Sequence, residues 1–510
     1  MTEVDSAADG DLLGAYPFLI RPAAAPPNPA PAGDPPFDVE DMAASRPGAG
    51  AGDPCGPPNP GDTRSDVTGS EVTGPGVPRP AGAPRSAGSA GPYDYEAAAA
   101  PGSPGAAPVG PVGWREARRR ARRAAGAALV PERLELADAL GGVLAVPLEA
   151  LTDLPAFDTS AMDGWAVSGP GPWRTVGQVL AGDSAAQLAD GTAVRIATGA
   201  QLPPGATAVL RREDGRIRGD RDGAELLHDC GPSPLDTGRD IRPRGQECRS
   251  GEPLLPPGTV VTPAVLGLAA AAGCDLLTVH RRPTVELLVL GDELLDSGLP
   301  RGGRIRDALG PLLPSWLRGY GARILAVRQV RDDIGLLREA LRRSPADVVV
   351  TTGGTAAGPV DHLHRVLAEL DAVLLVDGVT VRPGHPMLLA ALPPAEDGAR
   401  ARHLVGLPGN PLAAVAGTVT LAEPLLRALA GFPAAAPYLV EAAVPLPWHP
   451  EDTRLVPVAL PDRGAVPLAF DGPAMLRGLA VAEGLAVVPP GGVRAGSGVE
   501  VLELPTGAGA

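Results

Sequence analysis

The stretch "VVVTTGGTAAGPVDHLHRVLAEL" carries Gly353, Gly354 and Gly358 between an apolar run and a helical pattern, with Thr355 among them and Asp361 at the helix start. Glycines let backbone N–H groups approach an anion closely, and a helix N-terminus adds about half a positive charge. The loop lacks the lysine of a P-loop but has the build of a phosphate cradle. A tight strand-to-helix turn without a ligand would use the same residues. "VLGDELLDSG" offers Asp292 and Glu293 after another apolar run. Carboxylates beside a phosphate are useful when they hold a divalent cation or a polar ring. "VRPGHP" places Arg382 and His385 around Pro383 and Gly384, and "VGLPGNPLAAVAGTV" presents Pro408, Gly409, Asn410 and Pro411 before a helix. Each is also an ordinary turn dipeptide in isolation; several such loops at the strand ends of one sheet favour a site. Upstream, "LPAFDTSAMDGWAV" gathers Asp158, Thr159, Ser160 and Asp163, a set that an Asx- or ST-turn cluster equally explains. Nearby, "RIATGAQLPPGATAVLRRED" supplies Thr198 and Gly199.

The elements that must position these loops follow from periodicity. From Pro283 the chain alternates strand and helix: "TVELLVLG", "LGPLLPSWLRGYG", "ARILAVRQV", "IGLLREALRRS", "DVVVTTGG" and "HLHRVLAEL". Such alternation implies parallel βαβ units, whose ligands sit beyond the carboxyl ends of the strands. An α/β domain is therefore expected over 283–432, with a mostly parallel sheet. Residues 433–510 read as a C-terminal β domain from runs such as "RLVPVAL" and "VEVLEL", and 157–234 as a small β domain of short runs broken by glycine. The flanking segments 113–156 and 235–282 remain as ordered material around the small domain. Residues 1–112, dominated by Pro, Gly, Ala and Ser, lack hydrophobic periodicity and read as a disordered tail.

Composition narrows the function. Hydrophobic residues make up 44% of the 510 and aromatics 3%, so the cores must be built from Leu, Val and Ala. All 44 basic residues are arginine, so Arg or His stands wherever a lysine would be expected. A net charge of −15 argues against general nucleic-acid binding, which needs a basic face. The arginine-rich "WREARRRARRAAGAAL" reads as a helix with a solvated face. Four scattered cysteines form neither a zinc pattern nor a disulfide framework and fit a reducing cytoplasm. No signal peptide is expected, and the apolar stretches, such as "AVLGLAAAAG", read as too short to cross a membrane.

Taken in order, "FDTSAMDGWAV", "RIATGAQLPPGATAV", "GDEL", "TTGGTAAGPVD", "RPGHP" and "GLPGNP" resemble the signature run of the molybdopterin molybdenumtransferases, a family that includes plant molybdenum insertases and the gephyrin E domain. The resemblance covers roughly 114–510. It implies a protomer of four parts: a segmented elongated domain (113–156 with 235–282), the small β domain, an α/β molybdopterin-binding domain and the C-terminal β domain. It further implies a homodimer in which the upstream loop of one protomer faces the α/β site of the other. The implied reaction takes adenylylated molybdopterin and molybdate, uses a divalent cation such as Mg2+, inserts molybdenum and releases AMP.

Carried over by position, Asp158, Asp361, Glu293 and Thr198 are the candidate catalytic residues, with Asp361 and Glu293 toward the metal. Gly353, Gly354, Thr355 and Gly358 would cradle the pterin phosphate, and Asp292, Arg382, Gly384 and His385 would face its polar and anionic groups. Pro408, Gly409, Asn410 and Pro411 would shape the pocket, while Ser160 and Asp163 join the opposing wall. Several positions depart from the family pattern. The serine of the glycine loop is Ala356, the second lysine of "KPGKP" is His385, "DSN" is Asp307–Ala308–Leu309, and the C-terminal glycine-serine loop is "DGPAML". These departures leave a second reading open, a non-catalytic paralogue that binds the pterin or a partner protein.

Overall fold

A computed structural model describes residues 110–184, 186–219, 225–355, 362–394 and 402–505. The alternating pattern after Pro283 forms a six-stranded sheet in the spatial order Arg323–Val330, Thr284–Leu290, Val348–Thr352, Arg402–Leu407, Leu388–Leu392, Val373–Asp377. The first four strands are parallel, and the last two run antiparallel at one edge. Thr284–Leu290, Val348–Thr352 and Arg402–Leu407 are buried on both faces, which explains their near-continuous apolar runs, whereas the edge strand Arg323–Val330 is mostly exposed. Val285, Leu287 and Val289 face one core with the helix Leu309–Gly319 and the helical stretch from Pro411. Leu288, Val349 and Leu404 face the other, with the helices Ile334–Arg343 and His362–Glu369.

From Thr284–Leu290 the chain crosses to Arg323–Val330 on one side, and the next strand, Val348–Thr352, pairs on the other side. This reversal opens a crevice beyond the carboxyl ends of Thr284–Leu290 and Val348–Thr352. The amino ends of the same two strands are clasped together. The Arg281 guanidinium donates twice to Asp347 (2.9 and 3.0 Å), while the Thr284 amide and hydroxyl donate to it at 2.7 and 2.6 Å.

The arginine-rich helix Trp114–Ala124 keeps Arg115, Arg119 and Arg123 on an exposed face and packs its other side into the α/β unit. Trp114, Ala117 and Ala121 are buried in that unit's core, and Trp114 Nε1 donates to Thr420 Oγ1 (3.0 Å). Arg118, Arg120 and Arg122 donate to the carbonyls of Val419, Leu375 and Phe432. The three guanidinium groups thus anchor the helix to its neighbours.

The order also reaches back before 113. Val112 and Gly113 pair in parallel with Val379 and Thr380, and the Val112 amide donates to Gly378 O (3.1 Å). The boundary expected at 112 thus falls inside a strand, while residues 1–109 lie outside the described ones. A chain beginning at Gly110 should melt at a higher temperature than one beginning at Trp114, by roughly 2–4 °C per kcal/mol lost. Equal melting temperatures in thermal unfolding would show that this pairing contributes nothing.

Between these parts, Pro131–Glu135 pairs with Leu276–His280, and Leu148–Glu149 with Pro253–Leu255. These ribbons enclose a small core of Leu144, Val261, Leu277 and Val279. A separate six-stranded sheet spans Gly164–Val167 to Glu225–Asp229. The C-terminal sheet is built on Thr453–Ala459, Gly484–Val488 and Gly498–Glu503. It also receives Val379–Arg382, which pairs with Thr453–Ala459 and not with the α/β sheet. Pro411–Leu429 forms a continuous 19-residue helical stretch long and apolar enough to span a bilayer, which the expectation of only short apolar runs did not anticipate; 83% of it is buried inside the protein. It is apolar because it forms the core of the α/β unit.

Candidate active site

Four strand ends and three helix starts meet in an open cleft of about 740 Å³. Its lining includes Gly291 and Glu293 after Thr284–Leu290, Gly353 and Gly354 after Val348–Thr352, and Gly409, Asn410 and Pro411 after Arg402–Leu407. Gly353 and Gly354 have φ of +86° and +69°, conformations that L side chains rarely adopt. A Cβ on Gly354 would also meet Leu290 Cδ1 at 3.4 Å, and one on Gly409 would lie 3.7 Å from Gly353 Cα. The Gly353 amide donates to Leu407 O (2.8 Å), so the loop is pinned across the sheet. Thr355 is buried. Gly358 and Asp361, with Ala356, lie outside the described residues.

Glu293 folds back over Gly291, where an added Cβ would lie 2.6 Å from Oε2. Asp292 is exposed, its amide donating to Asp332 Oδ2 (3.2 Å) and its carboxylate accepting from Arg331 Nε (3.4 Å). Asp332 itself lines the cleft, as do Arg306 and His362, and none of the three was singled out from sequence. The signal for Asp332 was available: it follows the strand "ARILAVRQV", as Asp292 and Glu293 follow "TVELLVLG". Asp307, at the altered "DAL" position, has a structural task. Its carboxylate accepts from the amides of Leu309 (2.9 Å) and Gly310 (3.0 and 3.1 Å), capping the helix Leu309–Gly319.

Among the described residues no group of three or more His, Cys, Asp or Glu side chains is preassembled for a metal. The cleft carboxylates Glu293 and Asp332 nonetheless suit Mg2+, which is commonly held by one or two carboxylates together with substrate phosphates and water.

The "RPGHP" loop leaves the C-terminal sheet, and Arg382, Gly384 and His385 do not line the cleft. Gly384 has φ +106°, and a Cβ there would lie 3.0 Å from Ala413 O, on the helix that begins at Pro411. Arg382 Nε donates to Asp452 Oδ2 (2.7 Å), and His385 Nδ1 is buried without a hydrogen-bond partner among the described residues. Pro408 is buried at the base of the last loop. Beyond it, the amides of Leu412 and Ala413 donate to Pro473 O (2.9 and 3.2 Å). The "DGPAML" loop thus supplies a carbonyl to the start of this helix, and its Ala474 and Leu476 complete the cleft wall.

The upstream loop is a separate constellation, and none of its residues lines the cleft of its own chain. Asp163 Oδ1 accepts from the amide (2.8 Å) and hydroxyl (3.0 Å) of Thr198, which together hold its carboxyl below the usual range. Asp158 Oδ1 accepts from the Arg244 amide (2.6 Å). Ser160 is fully buried, its hydroxyl donating to Met162 O (2.6 Å), so it shapes the turn between the two aspartates. Asp158, Asp163 and Thr198 are exposed.

Comparison with known proteins identifies this arrangement. Family models match in sequence along the chain: the MoeA N-terminal region (domain I and II) over 112–273, the probable molybdopterin binding domain over 286–428, and the MoeA C-terminal region (domain IV) over 440–504. The chain is 32% identical over 399 residues to "Molybdopterin molybdenumtransferase 2" of Mycobacterium tuberculosis, covering 73% of this chain and 94% of that one. The chain belongs to the molybdopterin molybdenumtransferase family. The namesake protein of a Nostoc species is 31% identical over 314 residues, covering 59% of this chain and 70% of that one. Among solved structures, the molybdopterin biosynthesis MoeA protein of Pyrococcus horikoshii matches with a TM-score of 0.60 at 25% identity, over 78% of this chain and 100% of that one. A second structure of that protein matches with a TM-score of 0.62 at 21% identity, a likeness of fold.

Proposed function

We propose that this protein acts in molybdenum cofactor biosynthesis, in the cytoplasm, inserting molybdenum from molybdate into adenylylated molybdopterin with release of AMP. The observation that carries this reading is the glycine cradle at the sheet's switch point: Gly353 and Gly354, both in left-handed conformation, floor a cleft walled by Glu293, Asp332 and Asn410. Backbone approach there suits a phosphate, and the open volume suits a bulky heterocycle. Glu293 and Asp361 would hold Mg2+, which supplies neutralisation of phosphate charge when bound. Asp332, beside Glu293 in the cleft lining, would join them at the metal, Asp292 would orient polar ring groups, and Pro408 to Pro411 would bound the pocket. Because the upstream loop does not line its own cleft, Asp158, Asp163 and Thr198 would complete the site of a second copy in a twofold homodimer.

Incubation with adenylylated molybdopterin, molybdate and magnesium tests the reading, with AMP release and active cofactor followed together. Both products should appear. Asp361→Asn should reduce AMP release more than pterin binding, since a carboxylate cannot itself attract the phosphate. Heterodimers of Asp158→Asn with Asp361→Asn chains should recover activity above either parent; no recovery would refute the shared site.

A second reading, a pterin-binding paralogue without turnover, draws on the ion pair between Arg382 and Asp452 and on the Pro473 carbonyl at the helix start. Pterin binding without AMP release would establish it.

A further inference from the structure

Arg382 and Arg454 are register partners on adjacent parallel strands, where they would form a doubly cationic edge. Each instead meets a carboxylate: Arg382 Nε lies 2.7 Å from Asp452 Oδ2, and Arg454 Nη2 lies 2.8 Å from Asp471 Oδ2. The carboxylates are the buried members, with side chains 9% exposed in both cases, whereas Arg382 is 53% exposed. Asp452 is fixed further by its own amide, which donates to His449 Nδ1 (3.0 Å). Each of the two arginines is therefore matched by a buried aspartate beside the "RPGHP" loop. The loop carrying Asp471 runs on to the cleft residues Ala474 and Leu476.

We propose that Asp452 is a specificity-determining residue that disfavours a tetrahedral oxyanion at Arg382. The inference rests on the reading that this loop faces the anionic end of the substrate. An oxyanion taking the Nε position would have to displace Asp452 and leave a buried carboxylate unpaired, which is strongly unfavourable. One landing on the exposed side of the guanidinium would meet an arginine whose charge is already compensated. Asp452 thus acts as an internal counter-anion.

The test uses the full chain and molybdate alone, with sulfate as a second oxyanion, in equilibrium dialysis. Asp452→Asn should tighten molybdate binding by about tenfold or more, the scale of one charge-assisted hydrogen bond. Adding Arg382→Gln to that variant should remove the gain. In the otherwise unchanged protein, Arg382→Gln should alter molybdate affinity less than twofold, since that arginine is already occupied. This variant keeps the proposal falsifiable if Asp452→Asn does not fold. A tenfold loss in Arg382→Gln, an unchanged affinity in folded Asp452→Asn, or a gain that survives Arg382→Gln would each overturn it. Pterin binding measured alongside separates the outcomes: its failure refutes the proposed function, whereas normal pterin binding with an unresponsive molybdate affinity refutes only the role of Asp452.

Discussion

Gly354→Val is expected to weaken molybdopterin binding by about 100-fold or more, equivalent to about 2.8 kcal/mol, while the protein remains folded. Gly354 holds φ +69°, where a β-branched side chain is strained, and its new Cβ would press on Leu290 Cδ1 at 3.4 Å. The loop must then shift, and the backbone that lines the cleft moves with it. Most of the fold is insulated from this change, since Gly354 is exposed at the end of a strand whose own residues, Val348–Thr352, are buried. Circular dichroism and thermal unfolding should therefore report a folded protein, while pterin titration reports the loss. Gly354→Ala should fall between wild type and Val. If Gly354→Val binds the pterin normally, the loop is only a turn and the cradle assignment is wrong.

Asp347→Ala is expected to destabilise the α/β unit by about 3 kcal/mol, because removal leaves the Arg281 guanidinium and the Thr284 groups without their shared acceptor. Burial pushes the Asp347 carboxyl up, but bonds from Arg281 and from the Thr284 hydroxyl and amide outweigh it and hold the group below the usual range. A carboxyl depressed in the folded state contributes stability fully above its unfolded value, about 3.9. That contribution is lost as pH falls through the lower folded value. The gap between wild type and Asp347→Ala in urea unfolding should thus be large at pH 7 and shrink below about pH 4. A gap that persists in acid would trace the effect to packing and not to charge. The clasp lies at the amino ends of strands whose carboxyl ends form the cleft, so pterin affinity of the folded variant should be nearly unchanged.

The local terms of this protein were legible in its residues. Alternating apolar strands and amphipathic helices after Pro283 predict a parallel sheet, because burial on both faces demands continuous apolar runs. The Gly353–Gly354 pair after "VVVTT" predicts a backbone that other residues resist, and both glycines adopt it. The ordered motifs were specific enough to suggest the family, to which the chain belongs. Tertiary structure alone decided which elements met. Val379–Arg382 has the alternation of any strand, so nothing local reveals that it pairs with Thr453–Ala459 instead of its α/β neighbours. Arginines on Trp114–Ala124 look solvated until distant carbonyls at Val419, Leu375 and Phe432 receive them. The same holds for Arg382, whose guanidinium meets Asp452, seventy positions on. A side chain's type fixes what it can donate or accept, but long-range packing chooses the partner.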